Sequence, residues 1–176
     1  CMALSVAVIV GESISTKILN ELKREIKRFR IGRFEQSVND FGPLISKEHK
    51  KNVIKFIDSA ERDGAKIIVD GRKILNGENI FKNGYFLGAT LIDNVNTKMK
   101  SYKEEIFGPV LQIIHVKTFQ DGIDLINKNP FGNGCCIFTS NGNAARLFSQ
   151  QIKIGMVGIN IPLPVPSSSH SFGGWK

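Results

Sequence analysis

The chain has 176 residues, of which 41% are hydrophobic and 23% are charged, a composition typical of a globular domain with a sizeable core. No segment approaches the roughly 20 consecutive apolar residues of a membrane-spanning helix, so a soluble protein is expected. The six prolines and 17 glycines follow no period, which excludes collagen-like and repeat architectures. Three cysteines, two of them adjacent, make no disulfide framework and favour a reducing compartment.

The positive charge is concentrated in one part of the chain. Residues 17–55 hold 11 basic and five acidic side chains and so carry +6 of the formal net charge of +8. A basic face of this kind could attract nucleic acid or a phosphorylated ligand. Because neither interleaved aromatic residues nor a nucleic-acid-binding motif accompanies it, we favour a solvated helix face.

The apolar pattern predicts strands that alternate with helices. A β-branched run predicts a strand over residues 5–10, and apolar residues spaced by three and four predict a helix over residues 14–30. Ser46 is a suitable N-cap for a second helix, which Gly64 would end. Further strands are predicted at residues 66–69, 86–92, 110–116, 135–138 and 156–161, with helices at 121–128 and 143–151. We therefore predict an α/β fold in which a layered, mostly parallel sheet has flanking helices, with no internal domain boundary.

Common catalytic and phosphate-binding motifs are absent from the sequence. The three histidines, His49, His115 and His170, lie far apart without ligand spacing, so no metal site is expected. Cys1 precedes the first predicted strand, where a cysteine is either a nucleophile or a small buried hydrophobe, and nothing near it in sequence marks an activated thiol. Cys135 and Cys136 lie beside a predicted strand, and we interpret both as core or interface packing.

Two adjacent carboxylates, Glu104 and Glu105, could be mistaken for a catalytic pair. Neighbouring residues in an extended segment point to opposite sides, so at most one of them faces a site. The alternative interpretation is an exposed acidic turn ahead of the next strand.

Several segments together resemble a known family along the whole chain. They are Cys-Met-Ala-Leu-Ser (1–5), Phe-Gly-Pro-Leu-Ile (41–45), Lys-Glu-Glu-Ile-Phe-Gly-Pro-Val (103–110), Asn-Pro-Phe-Gly-Asn-Gly (129–134), Gly-Met-Val-Gly-Ile-Asn (155–160) and Phe-Gly-Gly-Trp-Lys (172–176). In this order they resemble the catalytic-domain half of the aldehyde dehydrogenase superfamily. The first segment, the proline-rich stretch at 160–166 and the Trp-Lys ending are most similar to its CoA-acylating methylmalonate-semialdehyde dehydrogenase branch.

The resemblance implies specific roles for three residues. Cys1 matches the family nucleophile, whose thiolate attacks an aldehyde and is left as a thioester after a hydride passes to NAD. Coenzyme A then takes the acyl group, so that a methylmalonate or malonate semialdehyde, as in valine breakdown, yields propionyl-CoA or acetyl-CoA with loss of CO2. Glu105 matches the glutamate that accepts hydrogen bonds from the nicotinamide ribose, and Phe107 matches the aromatic residue that packs near that ribose and the nicotinamide.

The resemblance also implies what accompanies this chain. Residues 1–176 correspond to an aldehyde dehydrogenase catalytic domain that is incomplete at both ends, without the dinucleotide-binding domain. Expected partners are a small semialdehyde and CoA, in a homo-oligomer when full length, with no membrane and no nucleic acid. The expected location is the cytoplasm, or the mitochondrial matrix in a eukaryote. Two alternatives stay open: a non-acylating aldehyde dehydrogenase that hydrolyses its thioester, and a non-enzymatic remnant or basic binding module.

The isolated chain is predicted to have no appreciable dehydrogenase activity. In the family, the asparagine of the oxyanion hole and the arginine that holds the substrate carboxylate precede the cysteine, and oxyanion stabilisation is a large catalytic contribution. An NAD- and CoA-dependent turnover assay on the purified 176-residue chain checks this. Rates near those of a full-length relative would contradict it.

Overall fold

A computed structural model describes residues 4–35, 37–73, 84–162, 164–165, 167–169, 171, 174 and 176. The described residues form two compact units, one within 5–115 and one made of Leu4 with the described part of 116–176. The interpretation of residues 1–176 as one catalytic domain stays a prediction. None of the helices in the described ranges is long and apolar enough to cross a membrane.

The unit of residues 5–115 is built on a four-stranded sheet with the strand order β1-β4-β3-β2. Its strands are β1 (Val6–Val10), β2 (Lys66–Val69), β3 (Thr90–Asp93) and β4 (Val110–Val116), and its helices are α1 (Ser15–Ile26), α2 (Lys47–Arg62) and α3 (Lys100–Lys103). Strands β3 and β4 are parallel, with Thr90 opposite Val110, whereas β2 is antiparallel to β3.

Helices cover both faces of this sheet. Because side chains alternate along paired strands, Leu91 and Ile113 share one face, where they belong to a core cluster with Ile26 of α1. On the opposite face, the side-chain Nε2 of Gln112 donates a 2.9 Å hydrogen bond to the carbonyl of Ser101 in α3, and α2 packs against α3. The sheet is therefore the middle layer of this unit.

The unit that includes residues 116–176 pairs two strands with two helices. Its elements are α4 (Phe119–Lys128), β5 (Gly134–Ile137), α5 (Gly142–Gln151) and β6 (Met156–Ile159), and β5 runs parallel to β6. Thr118 and Asp121 form a capping box at the start of α4. Near the other end of α4, the Nζ atom of Lys176 donates to the carbonyls of Ile126, Asn127 and Asn129 at 3.0, 3.0 and 2.6 Å. The core is formed by Ile123, Phe148, Ile152 and Ile154.

An arginine joins the turn after β2 to α2. The Arg72 guanidinium donates from Nε and Nη2 to the two carboxylate oxygens of Asp70, at 2.8 and 2.9 Å, and also bonds Asp58 and Glu61 on α2. The hydrogen bonds from Arg72 hold the pKa of the Asp70 carboxyl below its ordinary value. Since the Asp70 and Arg72 side chains are only 12% and 20% exposed, water screens this pair little.

The predicted α/β class, with a mostly parallel sheet and flanking helices, is confirmed, since two of the three strand pairs with described register are parallel. The Ser46 side chain accepts from the backbone N–H of His49, as an N-cap should. Gly64 has a φ of 96°, the left-handed conformation that glycine adopts where a helix ends.

Several element boundaries differ from the prediction, and three of the differences have local reasons. Helix α1 ends at Ile26, because the following amides of Arg28 and Phe29 bond three residues back and tighten the chain into a turn. The third strand begins at Thr90, after a stretch in which the Gly88 amide bonds the carbonyl of Gly71. Strand β6 ends at Ile159, because Asn160 has a φ of 56° and turns the chain.

Candidate functional site

Cys1, the predicted nucleophile, lies outside the described residues, and its role stays a prediction. His170 and three residues of the closing motif, Phe172, Gly173 and Trp175, also lie outside them. The part of the predicted site that the structure describes is residues 104–108, which join α3 to β4. Residues 104–108 are called the α3–β4 segment below.

The α3–β4 segment presents a carboxylate and an aromatic ring on the surface. Glu105 is exposed and the side chain of Phe107 is 65% exposed, whereas Ile106 between them is 4% exposed and anchors the segment. A carboxylate offers two acceptor oxygens that match a pair of vicinal hydroxyls, and an exposed ring offers an apolar face to a planar group. The two side chains thus place an anionic acceptor and an exposed apolar ring two residues apart, and their role in binding a cofactor stays a prediction.

The two adjacent glutamates have different surroundings. Glu104 has extended backbone angles at the C-cap of α3, and its carboxylate lies 3.8 Å from the Nζ atom of Lys100. Both glutamates are exposed and lie ahead of β4, so exposure does not distinguish the predicted site residue from its neighbour. Glu105 differs from Glu104 in being next to the Ile106 anchor and two residues from the exposed ring.

The backbone of Phe107 is held in an unusual conformation by α2. Its φ is 52°, in the left-handed region that costs a residue with a side chain roughly 1–2 kcal/mol. The Nε2 atom of His49 bonds the Phe107 carbonyl oxygen at 2.8 Å. Next along the chain, a Cβ atom on Gly108 would lie 2.9 Å from Cγ2 of the fully buried Val53. Glycine therefore lets this segment rest directly on α2.

His49 also belongs to this region, although it was assigned no role from the sequence. It lies four residues before Val53 and eight before Ile57, both with 0% exposure, so helical spacing places all three along one side of α2. A polar residue at the start of an otherwise apolar stripe is the signal that could have identified it.

A second polar cluster links α1 to the carboxyl ends of β3 and β4. His115 contacts Asp93 through Nε2, at 2.6 Å from Oδ1, and Ser15 through Nδ1, at 3.3 Å from Oγ. Because a carboxylate only accepts, His115 donates from Nε2 to Asp93, and in a neutral ring Nδ1 then accepts from the Ser15 hydroxyl. The cluster attaches the first turn of α1 to the sheet, and no pattern in the sequence predicted it.

The two cysteines of β5 behave as packing residues, as predicted for them. Cys135 packs against the core that α4 and α5 share, and burial raises the pKa of its thiol to about 12. The Cys136 thiol lies 3.0 Å from the Pro162 carbonyl oxygen, and burial raises its pKa as well. Few thiolates form at such sites, so neither cysteine suits nucleophilic chemistry. Within the described ranges, no group of three or more His, Cys, Asp or Glu side chains could hold a metal ion.

The basic stretch of residues 17–55 includes an exposed, internally paired part of α1. Arg24 lies within 3.1 Å of carboxylate oxygens on both Glu21 and Glu25, and Arg28 lies 3.3 Å from Glu25. All four side chains are at least half exposed. Ion pairs of this kind contribute little to stability, and the arrangement is that of the solvated helix face favoured above.

Comparison with known proteins gives a consistent result. The sequence profile described as the aldehyde dehydrogenase family matches residues 1–176. The chain is 53% identical, with a TM-score of 0.95, to a methylmalonate-semialdehyde dehydrogenase from Oceanimonas doudoroffii, covering all of this chain and 36% of that one. It is 44% identical, with a TM-score of 0.94, to a Sinorhizobium meliloti protein described as a methylmalonate-semialdehyde dehydrogenase and solved with NAD, covering all of this chain and 35% of that one.

A mammalian relative is described as an acylating enzyme. The chain is 46% identical over 175 residues to the bovine mitochondrial methylmalonate-semialdehyde/malonate-semialdehyde dehydrogenase, which is described as acylating. The match covers 99% of this chain and 32% of that relative. The chain thus spans about a third of the length of the relatives that it matches.

Proposed function

Since the chain belongs to the aldehyde dehydrogenase family, we propose that it supplies the nucleophile and part of the cofactor site of an NAD-dependent, CoA-acylating methylmalonate- or malonate-semialdehyde dehydrogenase. The observation that carries the proposal is the exposure of Glu105 and Phe107 on either side of the buried Ile106, in a chain that matches the family over its whole length. Because the chain spans about a third of its relatives, the proposed activity is that of the longest polypeptide that its coding sequence encodes.

Two of the relatives support the choice of cofactor and acceptor. The protein from S. meliloti was solved in complex with NAD, and the bovine relative is described as acylating. We carry both properties to this chain as part of the proposal. A non-acylating dehydrogenase would share the fold and the cysteine and would differ in what removes the acyl group.

The proposed reaction proceeds through Cys1. Its thiolate sulfur attacks the aldehyde carbon and gives a thiohemiacetal, whose C–H bond then breaks as NAD accepts the hydride and leaves a thioester on Cys1. The thiolate of CoA attacks this thioester, takes the acyl group and restores the Cys1 thiolate. For the two semialdehydes, the bond between the α-carbon and the carboxylate also breaks on the way to product. CO2 leaves and a proton from solvent takes its place on the α-carbon, which gives propionyl-CoA or acetyl-CoA.

Glu105 and Phe107 orient the cofactor and transfer no proton. The Glu105 carboxylate would accept from the ribose hydroxyls next to the nicotinamide, and the Phe107 ring would pack near that ribose and the nicotinamide. Their contribution to the rate of hydride transfer comes from placing the nicotinamide correctly. A small displacement of the nicotinamide would slow this step considerably.

We further propose the setting in which the enzyme works. Its partners are a small semialdehyde and CoA, its full-length form is a homo-oligomer, and it uses neither a membrane nor nucleic acid. The reaction takes place in the cytoplasm, or in the mitochondrial matrix if the source is a eukaryote.

Product analysis tests the proposal directly. The longest encoded polypeptide is incubated with methylmalonate semialdehyde, NAD+ and CoA, while NADH is followed by absorbance and acyl-CoA by mass spectrometry. We expect equal amounts of NADH and propionyl-CoA. NADH formed together with a free carboxylic acid, at a rate independent of CoA, would assign the non-acylating reaction instead. Absence of NADH with any semialdehyde would overturn the proposal as a whole.

The Glu105→Gln variant is expected to weaken NAD+ binding by about tenfold. The neutral amide has one acceptor oxygen where the carboxylate has two, and hydrogen bonds to a charged group contribute about 1.5–3 kcal/mol. Glu104→Gln is the matched control, because Glu104 is equally a surface glutamate and lies beside Lys100. Calorimetric titration with NAD+ measures both variants, and alkylation of Cys1 should stay near the wild-type rate. Loss of Cys1 labelling in Glu105→Gln would contradict the assignment.

A further inference from the structure

We propose that His49 is a positioning residue for the nicotinamide end of the cofactor, acting through the backbone of Phe107. The inference rests on the proposed function and adds to it a residue of α2 that contacts no reacting atom. Its basis is the 2.8 Å hydrogen bond between Nε2 of His49 and the carbonyl oxygen of Phe107, 58 residues further along the chain.

The hydrogen bond has a defined direction. A carbonyl oxygen only accepts, so the Nε2 atom of His49 carries the proton and donates. The backbone of His49 is itself fixed, because its amide donates to the Ser46 side chain at the N-cap of α2.

The recipient of the bond is a strained peptide unit. Phe107 has a φ of 52°, a conformation that a residue with a side chain keeps only when its surroundings hold it. The bond from His49 lies on the carbonyl of that same residue. Without it, the Phe107 peptide can rotate towards an unstrained conformation, and the exposed ring would move with it.

Two contacts from one side of α2 fix adjacent residues of the segment. His49 bonds the Phe107 carbonyl, and Val53, one helical turn later, lies under Gly108 with too little space for a Cβ atom. The chain then enters β4 through Pro109, whose carbonyl accepts from the Thr90 amide at 2.8 Å. The α3–β4 segment is thus held between α2 and the sheet, and His49 is its polar attachment.

A purely structural role for His49 predicts different measurements. If the bond only stabilised the fold, its loss would lower the unfolding temperature and affect all activities alike. If it positions Phe107, its loss weakens NAD+ binding and leaves thiol chemistry at Cys1 unchanged. Glutamine, which can place an N–H donor at a reach comparable to that of the histidine Nε2, should restore the wild-type behaviour.

The experiment compares His49→Ala, His49→Gln and Lys51→Ala in the longest encoded polypeptide. Lys51 is exposed on the same helix, two residues from His49, and serves as the matched control. We expect His49→Ala to raise the dissociation constant for NAD+, measured by calorimetry, and the KM for NAD+ by about fivefold, the ratio that corresponds to one hydrogen bond of about 1 kcal/mol. His49→Gln should keep both values within about twofold of wild type. Lys51→Ala should have the wild-type dissociation constant and KM. Hydrogen exchange should quicken in the α3–β4 segment of His49→Ala alone.

The outcomes separate this inference from the proposed function. Failure of the wild-type protein to bind NAD+ would overturn both. Wild-type NAD+ affinity in His49→Ala would overturn the positioning role and leave the proposed function standing. The positioning role would also be overturned if His49→Gln lost as much affinity as His49→Ala, or if His49→Ala slowed Cys1 alkylation in proportion to its loss of NAD+ affinity.

Discussion

The Cys1→Ser variant of the longest encoded polypeptide is expected to lose NADH formation by at least about a thousandfold, as is typical when a covalent nucleophile is removed. A serine hydroxyl is far less ionised than a thiol at neutral pH, so the first covalent bond to the aldehyde would form too slowly. Cys136→Ser is the matched control, since that thiol lies against the Pro162 carbonyl and is unsuited to attack. It should keep activity within about twofold of wild type. Wild-type turnover by Cys1→Ser would remove Cys1 from the proposed mechanism.

Alkylation of the native protein gives an independent check on the same residue. Burial raises the pKa of the Cys135 thiol to about 12, so very little of it is ionised at pH 8. We expect iodoacetamide to modify Cys1 first and Cys135 last, with Cys136 closer to Cys135, when peptides are counted by mass spectrometry over time. Modification of Cys135 before Cys1 would contradict both the burial of Cys135 and the role of Cys1 as nucleophile.

The Arg72→Met variant is expected to lower the free energy of unfolding at pH 7 by about 2 kcal/mol, because it leaves the largely buried Asp70 carboxylate without its bidentate partner. The value is set below that for a fully buried pair, since Asp58 and Glu61 are 44% and 55% exposed and can be solvated. Arg24→Met is the matched control: Arg24 also contacts two carboxylates but is 64% exposed. Arg24→Met should lower the free energy of unfolding by less than about 0.5 kcal/mol. Thermal or urea unfolding measures both variants.

Acidification should remove the difference between Arg72→Met and the wild type. The pKa of Asp70 is lowered in the folded protein, so its contribution to stability is fully present above the pKa of the unfolded chain, about 3.9. That contribution is lost as the pH falls below this value and through the folded pKa. We expect the stability difference between wild type and Arg72→Met to shrink progressively below about pH 4. A difference that stayed constant down to pH 2 would show that Asp70 is not its source.

The elements that the sequence predicted best are those with local start and stop signals. Strand β4 and strand β2 have the predicted boundaries, because β-branched residues fill them and turns bound them. Helix α2 begins after its Ser46 cap and ends just before the left-handed Gly64. The helix predicted over residues 14–30 was too long, since its apolar spacing continues past Ile26 although the hydrogen bonds change to a turn.

What the sequence did not predict depends on contacts between distant residues. The motif around Glu105 identified the site by resemblance, but neither the left-handed backbone of Phe107 nor its bond to His49 is encoded within a few residues. The contact of Ser15 with His115 joins residues 100 positions apart and could not be inferred from either local pattern. Local patterns therefore predicted the elements of the described ranges except the short helix α3, and long-range packing decides how the candidate site is held.

The three hydrogen bonds of the Lys176 ammonium place a positive charge at the C-terminal end of α4. The carbonyl oxygens of Ile126, Asn127 and Asn129 converge on one ammonium group near the end of the helix, where the partial charge of the backbone is negative. Three such oxygens would repel one another if nothing positive lay between them. Lys176 is thus a covalently attached counter-ion, filling the role that a bound monovalent cation fills among carbonyl ligands in other proteins.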